Sequence, residues 1–213
     1  KYMTAKEEDI LSNQAYIQKG VVLDKLLQSL IVSKINYQDL IVGDKNAIMI
    51  AARVLGYGKD YEFEYKGERV TVDLSQLDNK PFDETSISQG QNEFSYTLPN
   101  SGTIITYKLL THKDEMAIEA ELRGLKKLNK NASPDVSTRL KYMILSVNGD
   151  SDRKVVREFV DIYFLAQDAR SFRKHVANHQ PDVELTTQVD LITGVEDIDI
   201  PITVNFFWPD ASI

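Results

Sequence analysis

Apolar residues along this chain recur at helical spacing, then at every second position, then at helical spacing again. In TAKEEDILS, Thr4 precedes Glu7 by three residues, a capping-box signature in which each side chain satisfies a free N–H at a helix start. From about Gly20 to Val32, Leu23, Leu26, Leu27, Leu30 and Ile31 form one apolar stripe. A third helix is expected from Asp44 as N-cap to Gly56, with Ile48, Ala51, Ala52 and Leu55 on one face. The period then drops to two: Tyr61, Phe63 and Tyr65 lead to a turn at Lys66-Gly67, and Val70, Val72 and Leu74 return. Ser75 to Asn92 is polar and reads as loop. FSYTL, the turn Pro99 to Gly102 and TIITYKLL predict a second hairpin.

Helical spacing resumes after Thr111 and runs to about Lys130. Ser133-Pro134 reads as a cap and first turn. Val136, Leu140, Ile144 and Val147 give the next helix its stripe, and Gly149 stops it. A long helical segment is expected from Asp152 to Asn178, with a break near Gln167-Asp168, and Pro181 ends it. Two strands, Val183 to Leu191 and Ile198 to Phe207, close the chain around Gly194. Strands and helices are segregated instead of alternating, which predicts an α+β fold: a helical core with short antiparallel β-hairpins, central and C-terminal. One compact unit over 1–213 is expected, with a seam at 78–92 between an N-terminal helix/hairpin part and a C-terminal helical part with the terminal hairpin.

Charge narrows the partners. The 25 basic and 32 acidic side chains give a net charge of -7, without the basic footprint that phosphate neutralisation needs, so nucleic acid is not expected as a partner. The apolar runs are far shorter than the roughly 20 residues that span a bilayer, so no membrane association is expected. No charged-then-apolar leader is read, and because the chain opens on Lys1 instead of Met, an upstream segment stays open. With no cysteine, disulfides, thiolate nucleophiles and cysteine-based metal sites are excluded.

The candidate chemistry is sparse. GYGK at Gly56 to Lys59 lacks the spacing of a phosphate loop and reads as a glycine-terminated helix. Asn148, Asp150 and Asp152 start like a calcium loop, but Arg153 and Phe159 stand where that loop needs Gly and Glu, leaving a turn plus N-cap. His175 and His179 share a helix face and could hold a metal if His112 or Glu184 supplied a third ligand. Glu196, Asp197 and Asp199 form an acidic cluster that reads as a solvated turn. Arg170 and Arg173 flank Phe172, a combination favoured at protein interfaces and equally consistent with a core Phe172 between solvated arginines. On a strand, Phe206 and Trp208 point opposite to Phe207, so one aromatic face would be free to meet a partner unless the strand is buried on both faces. The candidate contact residues are thus Arg170, Phe172, Arg173, Phe206, Phe207 and Trp208. No catalytic residue is assigned.

Five segments follow one another in order: GVVLDKLLQSLI, INYQDLIVGDKNAIMIAARVLGYGKDYEFEY, RLKYMILSVNGD, FLAQDARSFRKHVANHQPDVEL and IPITVNFFWPD. Together they resemble the baseplate hub protein family of T-even-type contractile-tail bacteriophages, over about Thr4 to Asp210. GDKNAIMIAARVLGYG, ARSFR…PDVEL and FFWPD are the most specific parts. The resemblance implies a non-enzymatic structural component of the hub that acts in baseplate and tail-tube assembly through protein–protein contacts. Its implied partners are other hub and tail proteins and the tape measure protein, in a symmetric assembly. The implied location is the virion tail baseplate, with the host cytoplasm during assembly. Some relatives look as if they carry CxxC pairs of a zinc-ribbon kind at two turns; here Lys66-Gly67 and the turn near Asp190 to Gly194 hold no cysteine, so no metal or other cofactor is expected. Two alternatives stand beside this reading: a transient hub and tape-measure assembly chaperone absent from the mature virion, and a small metal-dependent hydrolase.

Overall fold

The computed structural model describes residues 1–82, 90–129, 134–192, 194–202 and 206–207. The fold is α+β, with eight helices among the described residues and small antiparallel sheets. The chain forms two units, one of Lys1–Ile35, Gly43–Lys80 and Pro181–Ile213, the other of Asn36–Val42 and Pro81–Gln180. This differs from one unit with a seam and a C-terminal half. The chain leaves the first unit at Lys80 and returns to it at Pro181, so the terminal hairpin belongs with the N-terminal helices.

In the first unit, α1 (Ala5–Leu11), α2 (Gln14–Gln18) and α3 (Val22–Leu30) pack together through Leu11, Leu26, Leu27 and Leu30. The capping box is present: the Glu7 carboxylate accepts from the Thr4 N–H at 2.9 Å and from its hydroxyl at 2.7 Å. Lys1 Nζ donates to the same carboxylate at 2.8 Å. The Lys1 and Thr4 hydrogen bonds outweigh burial and hold the Glu7 pKa down to about 2. A depressed carboxylate pKa stabilises the fold above its unfolded value of 4.5, and that stability is lost as pH falls toward 2. Glu7→Gln is expected to cost about 1–2 kcal/mol at neutral pH. Denaturant melts should show the gap to wild type closing near pH 2.

The helix α4 (Val42–Tyr57) begins before the expected Asp44 cap and ends at Gly58, whose φ of +87 suits glycine. Its buried side is Met49, Ile50, Ala52 and Arg53, rotated from the expected Ile48–Leu55 face. The reason is Arg53, whose guanidinium donates to the carbonyls of Gly58 at 2.9 Å and Asp60 at 3.2 Å, anchoring the helix end to the next strand. Strands β1 (Asp60–Tyr65) and β2 (Glu68–Asp73) pair around Lys66-Gly67, both at positive φ as a tight hairpin turn requires.

The second unit is built on β3 (Phe94–Thr97), β4 (Ile104–Tyr107) and β5 (Ile144–Val147), in the order β3-β4-β5. β5 corrects the expected helix through Ile144 and Val147. The helical stripe ends with α6 (Asp135–Met143), and ILSV instead completes the ladder on the free side of β4. An Asn148-Gly149 turn, again at positive φ, follows it. α5 (His112–Leu128) starts with a second capping box, Thr111 with Asp114. The expected long helix is α7 (Arg153–Glu158), a wide π-type turn at Phe159–Tyr163 and α8 (Ala166–His179), so the break falls at Phe164-Leu165. The core joins the sheet to these helices through Ile105, Tyr107, Leu140, Ile144, Val156 and Phe172.

In the first unit again, β6 (Thr186–Leu191) and β7 (Gly194–Asp199) form the terminal hairpin. β7 does not reach Phe207. Pro201 has no N–H to continue the ladder, and its carbonyl accepts from the Tyr61 hydroxyl at 2.8 Å. The loop reading at 83–89 and Ser133 lie outside the described residues.

Candidate functional site

In the second unit a cleft of about 640 Å³ opens between the β3–β4 sheet and the C-terminal end of α8. Phe94, Tyr107, Leu109, His175 and His179 line it, with Gln91, Glu93 and Ser95 at the strand. β-Alternation puts Phe94 and Tyr96 on the inner side of the sheet, where Tyr96 stacks on His175 with ring centroids 4.2 Å apart.

The two histidines anticipated on one helix face are adjacent, with ring centroids 4.0 Å apart. His175 Nε2 lies 2.9 Å from the Tyr107 hydroxyl. His179 Nδ1 lies 2.8 Å from the His175 carbonyl, an acceptor, so Nδ1 donates this bond. Burial, reinforced by the neighbouring His179, pushes the His175 pKa down, which keeps it neutral near pH 7. Burial, with the Tyr96 hydroxyl nearby, pushes Tyr107 up to about 12, so its hydroxyl stays protonated. The cleft is therefore lined by the Phe94, His175 and His179 rings, with His175 bonded to the Tyr107 hydroxyl. His112 is buried against Tyr37 at the start of α5. Glu184 belongs to the first unit. Among the described residues, no three His, Asp or Glu side chains are grouped to hold a metal ion.

Asp168, fully buried in the first turn of α8, fixes the β3–β4 turn. Its carboxylate accepts from the Asn100 N–H and side-chain amide, each at 2.8 Å, and from the Ser101 N–H at 3.0 Å. Burial raises its pKa, and these bonds more than offset that, leaving it below the usual carboxylate value.

The remaining motifs have structural partners. Asn148 accepts from the Ile104 N–H at 3.0 Å, Asp150 from the Asp152 N–H at 2.9 Å, and Asp152 caps α7 by accepting from the Lys154 N–H at 2.8 Å. Glu196, Asp197 and Asp199 lie along β7 itself, not on a turn beside it. Glu196 pairs with Lys66 at 2.6 Å, and Asp199 accepts from the Thr186 hydroxyl at 3.0 Å.

The expected contact residues divide. Arg170 and Arg173 are exposed on α8. Phe172 is corrected to a core residue: it is fully buried and meets the Tyr107 ring edge-on at 5.0 Å. Phe206 and Phe207 are corrected as well. Both are buried because they sit in a short turn beyond β7, where strand alternation does not apply, and their rings meet edge-on at 5.1 Å. Trp208 lies outside the described residues. Sequence reasoning missed Phe94, Tyr107 and Glu93 as cleft residues. The alternation that makes Phe94 and Tyr107 inward-facing was visible, but that the end of α8 faces them was not.

A second concavity, of about 390 Å³ and almost wholly apolar, lies in the first unit between α4 and the segment after β2. Ala51, Val54 and Leu55 of α4 face Leu74 and Leu77 across it. No family model matches the chain, and neither a curated protein nor a solved structure matches it.

Proposed function

We propose that this chain is a structural component of a contractile-tail phage baseplate hub, acting in baseplate and tail-tube assembly through protein–protein contacts. The ordered set of segments from GVVLDKLLQSLI to FFWPD carries the reading. The spatial relation of its most specific blocks lends support. Gly43 of the GDKNAIM block is so close to Pro181 of the PDVEL block that a Cβ at Gly43 would meet the Pro181 carbonyl oxygen at 1.9 Å. Asn46 donates to Asp182 at 2.9 Å, and Phe206 of FFWPD meets Tyr61 edge-on at 5.0 Å. Blocks far apart in sequence thus make one packing unit, as segments defining a shared fold would.

Exposed apolar side chains favour contact as the mode of action. Ile162 is 68% exposed, Tyr163 59% and Leu165 51%, all at or beside the wide turn after α7. Such turns recur at functional sites, and consecutive exposed apolar residues gain from a partner. Ile162→Ser with Tyr163→Ser is expected to change stability by less than about 0.5 kcal/mol. Capture of the tail partner in a pull-down is expected to fall at least about tenfold.

Quantifying proteins in purified mature particles separates the two assembly roles. Stoichiometric retention supports the virion component. Absence from particles, with capture of hub proteins from infected cells, would assign a transient assembly factor instead.

A further inference from the structure

The hydrogen-bond register of the second unit leaves one strand edge open. The Leu98 N–H donates to the Thr103 carbonyl at 2.9 Å, and Phe94 pairs with Tyr107 and Tyr96 with Ile105. Residues 94 and 96 therefore spend their N–H and C=O groups on β4, and the Leu98 carbonyl accepts from the Gly102 N–H in the turn. Asn92 extends this by side chain, accepting from the Leu109 N–H at 2.8 Å and donating to its carbonyl at 3.0 Å. Glu93, Ser95 and Thr97 must aim their backbone groups the other way, and among the described residues the order β3-β4-β5 places no strand there. Among the described residues, Gln91 Nε2 donates to the Glu93 carbonyl at 2.9 Å.

Exposed edges are usually blunted by charge, proline or cover. β1 (DYEFEY) and β7 (GVEDID) are rich in acidic residues, and β5 is largely buried. β3 (FSYT) has no charge and no proline, and its Ser95 and Thr97 are exposed. The cleft at the end of α8 runs beside this same edge, since Gln91, Glu93 and Ser95 line it.

We infer that the open edge of β3 is a docking strand for an extended segment of a partner protein, which adds to the sheet and places a lysine or arginine side chain in the cleft. Backbone pairing would supply affinity, and the side chain entering the cleft would supply selectivity. Three features, the helix end, a carboxylate and an aromatic ring, select a cation. The C-terminal end of α8 presents its negative dipole end there. The exposed carboxylate of Glu93 stands at the rim. The half-buried Phe94 ring adds aromatic surface suited to an ammonium or guanidinium group.

This inference deepens the assembly reading and rests on it for the partner's class, but its test uses the isolated full chain. Isotope-labelled protein is titrated with two short extended peptides, acetyl-Thr-Val-Lys-Val-Thr-amide and the same peptide with Glu for Lys. The Ser95 and Thr97 amides and the His179 ring are expected to shift, and the lysine peptide to bind at least about tenfold more tightly. Ser95→Pro removes an edge N–H that β4 does not use, so it should fold and lose binding. Glu93→Lys, at an exposed position, should fold and lose the preference for lysine. Equal binding of the two peptides, no binding of either, shifts away from β3, or undiminished binding by folded Ser95→Pro would each overturn the inference. If Ser95→Pro does not fold, Glu93→Lys decides: retained lysine preference overturns it. A hub subunit that docks through another face would fail here yet remain in particles, so the two readings fail separately.

Discussion

Gly43→Ala is expected to destabilise the first unit by about 3 kcal/mol, against the sign that helix propensity gives. Gly43 lies in the first turn of α4, where alanine would ordinarily stabilise by up to about 1 kcal/mol. The added Cβ would stand 1.9 Å from the Pro181 carbonyl oxygen and 2.8 Å from its carbon, and these backbone atoms cannot swing aside as a side chain tip does. The α4 start must move away from Pro181-Asp182, pulling on the Asn46–Asp182 hydrogen bond and on the Asn79–Val183 bridge. Hydrogen exchange resolved by residue is the measurement. Protection is expected to fall in α4, β6 and β7 and to persist in β4 and β5. A stabilised variant would mean that the two blocks are not in close contact.

Phe172→Ala is expected to cost about 4 kcal/mol, the usual size for removing a fully buried ring. The ring contacts Tyr107, Tyr96 and Phe164, so its loss opens a cavity between α8 and the sheet. Arg170→Ala and Arg173→Ala, at exposed positions of the same helix, are expected to change stability by less than about 0.5 kcal/mol. Denaturant titration of the three variants is the check. A stable Phe172→Ala protein that had lost only a partner would return Phe172 to the contact surface.

The two predictions mark how far the sequence could be read. Both central hairpin strands of each pair were visible, because period two on either side of Lys66-Gly67 or Pro99 to Gly102 is a local signal. The Thr4 capping box was equally local. β5 was not visible: Leu140, Ile144 and Val147 fit a helical stripe, and only its pairing with the distant β4 makes ILSV a strand. The arginine that turns α4 works the same way, through backbone carbonyls beyond the helix end. Strand parity misled at Phe206 and Phe207 because these two residues form a turn and not a strand. The histidine pair could be found from i, i+4 spacing, but its meaning comes from Tyr107, 68 residues away, and from an edge strand that only the register reveals. No local pattern in β3 says which of its edges is free.

The proposed role of this chain is binding of other tail proteins in the baseplate hub. The most direct measurement is affinity capture of the tagged full chain from infected cells, with the captured proteins quantified by mass spectrometry. The account predicts stoichiometric recovery of hub or tape measure proteins encoded in the same genome, reduced at least about tenfold by the Ile162→Ser, Tyr163→Ser pair. Recovery of the folded chain without any tail protein would contradict it.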